Sequence, residues 1–470
     1  MDLVTPRLRT ATALEGPLLF VDRPRGARLG EMVRLRVDGT RERRGQVIDL
    51  AEERAVVQVL EETRGLAPRS AEVVLTGELA ALGVARSMLG RAFDGMGRPI
   101  DGLPPPIPEL RLSIAGSPMN AVRRGKPEEP IETGISAIDG LNTLVRGQKL
   151  PIFSCAGLPA SRLAAQIVAQ ARVRRPGATS GEGEAFAVVF AAIGASWRER
   201  EAFLASFAAT GAQERTVAFV NGAEDPPIER LMAPRCALTA AEHLAFAHGL
   251  HVLVVMTDMS AYCDALREVA LAREELPGRR GYPGYMYTDL ASLYERAGRL
   301  LDRPGSVTQL PILTMPDDDL THPIPDLTGY ITEGQIVLSR ELDQKGVYPP
   351  IDVLPSLARL MNQGIGKGKT RADHRGLADQ LYALHARGCD VRRMAAIVGQ
   401  AGLSDEERRL VAFSDRFERE LIGQGAVFRS FEETLDLGWK LLAAFPATAL
   451  SRVRREDLTE RHHPEAKADA

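Results

Sequence analysis

Gly147-Gln148-Lys149-Leu150-Pro151-Ile152-Phe153-Ser154-Cys155-Ala156-Gly157-Leu158-Pro159-Ala160-Ser161 reads as a short apolar strand, a turn of small residues around Gly157, and a helix starting near Ser161. Beyond it Leu163, Ala164, Ile167, Val168 and Ala171 recur at the spacing of one buried helical face. This order outlines a phosphate-binding loop, whose working form is G-x-x-x-x-G-K-[ST]. With Ser161 in the last place, Ser154 stands for the first glycine, Pro159 for the second and Ala160 for the lysine.

Each replacement has a physical consequence. Pro159 has no N–H to offer and a fixed φ where a glycine would let the chain approach a phosphate. Ala160 removes the cation that meets the β- and γ-phosphates. Charge-assisted hydrogen bonds are worth roughly 1.5–3 kcal/mol each, so losing several weakens phosphate binding by orders of magnitude. On the motif alone, this is an ordinary strand-to-helix turn.

A chain of 470 residues has room for two to four domains. Hydrophobic residues at 44%, charged residues at 26% and a net charge of -3 give an ordinary globular composition with no general polyanion-binding surface. No apolar run reaches the length of a membrane span, and the N-terminal residues lack the apolar core of a signal peptide. Cys155, Cys236, Cys263 and Cys389 form no C-x-x-C pair and fit reduced thiols of a cytoplasmic protein. The histidines show no metal-ligand spacing, so no metal site is expected; His462-His463 reads as part of a solvated, frayed tail after Glu456.

Residues 1–75 carry short Val-, Leu- and Ile-rich runs at Gly16–Val21, Met32–Val37, Gly45–Leu50 and Ala55–Leu60, which predicts a small antiparallel barrel or sandwich. Residues 76–130 read as a Gly- and Pro-rich connector into the second region. Apolar runs at Phe186–Ile193, Thr216–Val220, His251–Thr257 and Val307–Thr314 alternate with helical patterns at Trp197–Thr210, Ile228–His248 and Ala261–Glu275. That alternation predicts a mostly parallel sheet with helices on both faces, within a domain spanning 76–350. Residues 351–470 read as helical, with patterns at Leu377–Arg387, Asp405–Gly423 and Ser430–Phe445 and a capping box at Ser404 and Glu407. The whole is a multidomain α/β chain.

Several residues suggest chemistry and have a plainer reading beside it. Asp258 ends an apolar strand, where an acid holds Mg²⁺ in phosphate-loop proteins or caps the next helix; with the loop broken, the cap is favoured. Ala192-Ile193-Gly194-Ala195-Ser196 offers no carboxylate at the strand tip that would carry a general base, and Glu199 lies further along the helix. Gly366-Lys367-Gly368-Lys369-Thr370 imitates a phosphate loop but follows a helical pattern, and reads as a basic surface loop. Asp317, Asp318 and Asp319 suit an exposed acidic loop better than a metal site. Arg359 ends a proline-rich junction, Pro349-Pro350-Ile351-Asp352-Val353-Leu354-Pro355-Ser356-Leu357-Ala358-Arg359, where a lone arginine is ordinarily a structural ion pair.

Together with Pro277-Gly278-Arg279-Arg280-Gly281-Tyr282-Pro283-Gly284-Tyr285-Met286-Tyr287-Thr288-Asp289-Leu290 and Thr321–Gln335, the segments Arg146–Ser154 and Pro349–Arg359 resemble the non-catalytic B subunit of V/A-type rotary proton ATPases over nearly the whole chain. The resemblance implies an N-terminal β-barrel, a central RecA-like domain whose Ser154, Gly157, Pro159, Ala160 and Ser161 have lost the phosphate cradle, and a C-terminal helical bundle. It implies a cytoplasmic head, peripheral to the membrane, in which three such chains alternate with three catalytic A subunits around a central shaft. A peripheral stalk would meet the N-terminal domain, and the membrane rotor would be reached only indirectly. No cofactor would be bound tightly by this chain; Mg-ATP or Mg-ADP would lie at the interface with the catalytic neighbour. Arg359 would be the arginine finger supplied to that site, with Ala358 where the family usually has serine. Asp317, Asp318 and Asp319 would face the shaft.

Two other functions use the same core. A self-sufficient ATPase needs the lysine and base that are missing. A hexameric RNA translocase needs stacking platforms, and Phe20 is the only aromatic residue in 1–75; no nucleic-acid partner is expected.

Overall fold

The computed structural model describes residues 6–37, 42–116, 119–173 and 185–463. Alternating apolar residues near the N-terminus form β1 (Arg7–Leu8), β2 (Ala11–Glu15), β3 (Leu18–Asp22), β4 (Glu31–Val37), β5 (Arg43–Leu50), β6 (Arg54–Val59) and β7 (Ala71–Leu79). These make one antiparallel sheet in the order β1-β7-β4-β5-β6-β3-β2, curled until β2 touches β7. The result is a β-barrel around its own core, with Leu19, Val21, Leu35, Val57 and Val73 buried inside. Its one aromatic ring, Phe20, is covered by the Arg54 guanidinium, 5.5 Å from the ring centroid.

The connector is more ordered than its Gly and Pro content suggests. β8 (Ala81–Val84) pairs with β10 (Leu110–Ser113), and β9 (Ala92–Asp94) adds an edge strand to the central sheet. The short β11 (Arg124–Gly125) leads into the central domain.

That domain runs α1 (Ser136–Asp139), β12 (Ile152–Cys155), α2 (Ala160–Gln170), β13 (Phe186–Ala195), α3 (Trp197–Thr210), β14 (Thr216–Gly222), α4 (Pro227–Phe246), β15 (His251–Thr257), α5 (Met259–Ala272), α6 (Met286–Tyr294), β16 (Gly298–Leu300), β17 (Ser306–Met315), α7 (Pro323–Ile331), β18 (Gly334–Leu338), α8 (Arg340–Gln344) and β19 (Ile351–Ala358). The sheet order is β19-β18-β12-β17-β15-β13-β14-β9, parallel except at β19 and the short β16. Every residue of β12, β14 and β15 is buried, as expected of strands covered on both faces. The four apolar runs and three helical patterns expected here all coincide with strands and helices; α3 and β15 have the expected bounds.

The C-terminal part is helical: α9 (Met361–Gly364), α10 (His374–Val398), α11 (Asp405–Arg416) continuing into a π-helical turn over Phe417–Ile422, α12 (Phe431–Leu442) and α13 (Arg455–Arg461). Ser404 and Glu407 form the expected capping box, and Ser430 with Glu433 forms another. The solvated tail expected after Glu456 differs: α13 continues to Arg461, and His462 is buried with Nε2 3.1 Å from the Phe445 carbonyl. Residues 464–470 lie outside the described residues. No described helix is long and apolar enough to cross a membrane.

Two buried histidines hold the helical domain, one to the central domain and one within itself. His374 spans from Thr370 Oγ1 to the Gly140 carbonyl of the central domain, both at 3.0 Å, and His385 packs on Phe417. Burial pushes both imidazoles down from 6.5 to about 4. Between those values the unfolded chain binds protons that the native chain refuses, so stability falls as pH drops from about 6.5 to about 4. The expected loss is on the order of 2–3 kcal/mol per histidine. It should appear as a Tm that falls between pH 7 and pH 4.5, and falls less in His385→Leu, which keeps the contact with Phe417.

Candidate functional site

The phosphate-type loop lies where β12 hands over to α2. Its backbone closes on itself: Leu158 N–H donates to the Cys155 carbonyl at 3.1 Å and Ala160 N–H to the Leu158 carbonyl at 2.8 Å. Gly157 supplies the left-handed residue of the turn, φ 84°. A phosphate cradle needs such N–H groups turned outward to the ligand. Here two are already satisfied, and Pro159 at the helix N-cap has none.

The polar side chains around the loop are also already engaged within the chain. Ser161 Oγ donates to Glu199 Oε1 at 3.0 Å. Glu199 is bent back there by a capping box with Ser196, whose N–H and hydroxyl donate to Oε2 at 3.0 and 2.8 Å. Burial works to raise the Glu199 pKa; the bonds from Ser196 and Ser161 outweigh it and leave the carboxyl below its usual range. A fixed anion therefore sits at the loop mouth. The sequence signal for it is S-x-x-E at Ser196 and Glu199, the same pattern as at Ser404 and Glu407. Glu199 is thus not simply further along the helix.

Arg340 brings a guanidinium to the loop, and it is engaged twice. Nη2 donates to the Ala156 carbonyl at 3.0 Å and the group pairs with Asp318 at 3.0–3.1 Å. Through Arg340 the acidic turn after β17 is joined to the loop. Within that turn Asp317 and Asp318 have left-handed φ of 57° and 56°, and Asp319 pairs with Arg280 at 2.9 Å and accepts from Thr321 N–H at 2.8 Å. Asp317 is exposed. Arg162, next in α2, stacks on Tyr348 with its guanidinium 3.9 Å from the ring centroid.

Asp258 caps α5: its carboxylate accepts from Ser260 N–H at 2.7 Å and Thr314 N–H at 3.1 Å, and from the Thr314 hydroxyl. Burial raises its pKa against those bonds. Gly366-Lys367-Gly368-Lys369-Thr370 is a turn between α9 and α10, where Lys369 Nζ donates to the Gln363 carbonyl at 2.6 Å.

Arg359 lies elsewhere. It follows β19 and is exposed; its N–H donates to the Glu333 carbonyl at 3.0 Å and Nη1 reaches the Thr332 carbonyl at 3.4 Å. No carboxylate of the described residues stands within ion-pair distance of it. Register fixes its place. Ala358 opposes Gly334 at the start of β18, while β12 and β18 run parallel toward the loop, with Phe153 opposite Val337. At about 3.3 Å per residue, the loop lies roughly 17 Å further along the strand direction. Underneath, Lys149 is buried and pairs with Glu333 at 2.6 Å and Glu295 at 3.0 Å. This fixes the segment on which Arg359 rests. Glu333 could not be found from spacing, being 184 residues from its partner.

Barrel, parallel core with a phosphate-type loop, and helical domain, in this order, define an ATPase-type subunit of the nucleotide-binding α/β class. Residues 12–77 match the family model for the beta-barrel domain of the ATP synthase alpha/beta family, 134–358 that of its nucleotide-binding domain, and 363–462 that of the C-terminal domain of V and A type ATP synthase. Among curated proteins, the chain is 71% identical to the V-type ATP synthase beta chain of Anaeromyxobacter sp. (strain Fw109-5), over 96% of this chain and 97% of that one. It is 58% identical to the V-type ATP synthase beta chain of Thermus thermophilus, over 97% and 96%. Among solved structures it is similar to ATP synthase subunit NeqB from Nanoarcheaum equitans, with TM-score 0.72, 39% identity, and coverage of 92% of this chain and 100% of that one. The chain belongs to the V-type ATP synthase beta-chain family, the B subunits of rotary ATPases.

The loop geometry predicts how nucleotide affinity responds to repair. In calorimetric titration of the single chain with Mg-ATP, the wild type should show no saturation below about millimolar nucleotide. Pro159→Gly with Ala160→Lys should tighten binding about tenfold or more, and adding Glu199→Gln should tighten it further.

Proposed function

We propose that this chain is the non-catalytic, regulatory B subunit of a proton-translocating V/A-type rotary ATPase or ATP synthase. In this reading it alternates with catalytic A subunits in a hexameric head and lends Arg359 in trans to the neighbouring site. The observation that carries this role is the separation of the two halves of a catalytic site: a loop without a cradle, and an exposed guanidinium roughly 17 Å along the strand direction from it. Arg359 is too far away to serve its own loop. A nucleotide it serves belongs to another chain.

In that position the guanidinium stabilises charge developing on the γ-phosphate, a role worth about 10³–10⁵ in rate in GTPases. The antiparallel pairing of β19 with β18 and the Lys149–Glu333 pair hold its backbone. Mg-ATP or Mg-ADP then sits at the interface with the catalytic neighbour, with no nucleotide held tightly by this chain. Asp317, Asp318 and Asp319 face the central shaft, where salt-screened charge contacts can form and break during rotation. The barrel meets the peripheral stalk, and the head stays peripheral to the membrane.

The test is ATP turnover of the head assembled from this chain and its catalytic partner. Arg359→Ala should cut kcat by about 10³-fold with assembly intact, and Arg359→Lys should recover little, since an ammonium lacks the planar fork. Unimpaired turnover in Arg359→Ala would remove the finger role. Separately, Asp317→Lys should weaken shaft association most at low salt, measured by binding at two ionic strengths.

A further inference from the structure

At the far end of α4 the chain turns sharply. Gly249, at φ 71°, lets its N–H donate to the Ala245 carbonyl at 3.0 Å and Leu250 N–H to the Leu244 carbonyl at 3.2 Å. This wrap brings His248 back over His243 of the last helical turn, with the two rings at 82° and their centroids 4.9 Å apart. Glu109, just before β10, reaches the same point. Glu109 Oε2 lies 3.0 Å from His243 Nε2 and 2.8 Å from His248 Nε2, and the two Nε2 atoms are 3.3 Å apart.

We propose that Glu109, His243 and His248 form a binding site for a divalent transition-metal ion of the zinc class. Ligand atoms about 2.0–2.1 Å from one ion and about 90–109° apart lie about 2.9–3.4 Å from each other. The observed triangle has edges close to those, and an ion about 1 Å above its plane meets all three atoms at bonding distance. Two imidazole nitrogens and a carboxylate oxygen are the donor set of zinc and its neighbours rather than of Mg²⁺ or Ca²⁺. Both imidazole Nε2 atoms converge on one carboxylate oxygen and on each other. The carboxylate is aimed by a second bond, Arg86 N–H donating to Oε1 at 2.9 Å, as outer groups orient metal ligands. His243 is buried, His248 half-buried and Glu109 exposed, which leaves open coordination positions and an entry path.

The other cluster of candidate ligands among the described residues, His385, Cys389 and Glu418, differs in the decisive respect. There Arg392 and Lys345 already occupy the carboxylate at 2.8 and 3.1 Å.

A metal at the first site fastens three segments together: the connector strand after Pro104-Pro105-Pro106, the end of α4 and the turn before β15. Its effect is to brace the link between barrel and central domain.

The test uses the full chain, stripped with a chelator and titrated with Zn²⁺ against a chromogenic indicator. The wild type should withdraw one equivalent that Glu109→Gln and His248→Asn bind about 10- to 100-fold more weakly or worse. Both substituted side chains have solvent access, so folding should survive; circular dichroism checks this in each variant. Zn²⁺ should raise the Tm of the wild type and leave that of both variants unchanged, and visible bands of bound Co²⁺ should be lost in His248→Asn. Equal zinc affinity in wild type and both folded variants would overturn the site, as would a folded wild type that captures no zinc.

Discussion

A parallel sheet buried on both faces has no room for chemistry along its strands. In β12, β14 and β15 every side chain is packed, and an unpaired polar group there would carry a desolvation penalty of roughly 1–3 kcal/mol or more. Reactive and recognising groups are therefore confined to the two rims. One rim carries the loop after β12, Glu199, Asp258 and the acidic turn after β17. The other carries Arg359 beyond β19 and the histidines around the turn into β15. What the protein can do follows from the different electrostatic state of these rims.

On the loop rim the charges nearest the loop are already answered within the chain. Ser161 is bound by Glu199, Ala156 and Asp318 by Arg340, and Asp258 by Thr314 and Ser260. A binding site for a triphosphate would need surplus donors and positive charge at this place. The replacement of glycine and lysine by Pro159 and Ala160 is thus only part of the change. The neighbouring residues form a network that satisfies itself, spread over several side chains outside the motif.

The elements of the core are legible in the sequence because their signal is local. Continuous apolar runs bounded by helices can be read residue by residue, so α3 and β15 agree to the residue with expectation. Strands β2 and β7 are not legible: Ala11–Glu15 lacks large alternating apolar residues, and Ala71–Leu79 crosses the place where the composition shifts. The solvated reading of His462 fails because its acceptor, the Phe445 carbonyl, is supplied by tertiary packing. The degenerate loop is legible as a motif, but its electrostatics are not. Glu199 arrives through a capping box, and Asp318 through Arg340. The Glu109–His243–His248 triangle is illegible in principle, since its carboxylate comes from 134 residues away.

The two rims also suggest a use for the rigid fold of a chain that carries Pro159 and Ala160 where a phosphate loop has glycine and lysine. In the role proposed for it, Arg359 needs a backbone that does not yield when a γ-phosphate pulls on it, because stabilisation of a developing charge depends on groups that need not reorganise. An edge strand alone would be compliant. Here β19 is paired with β18, β18 with β12, and the segment between α7 and β18 is tied by Glu333 to the buried Lys149. The stiffness of the parallel sheet is thereby passed to an exposed guanidinium. The same sheet ends at the loop after β12, and the packed strands between the two rims have little freedom to absorb a displacement. In the proposed ring of alternating subunits, that rigidity suits an element which relays the state of one interface to the next.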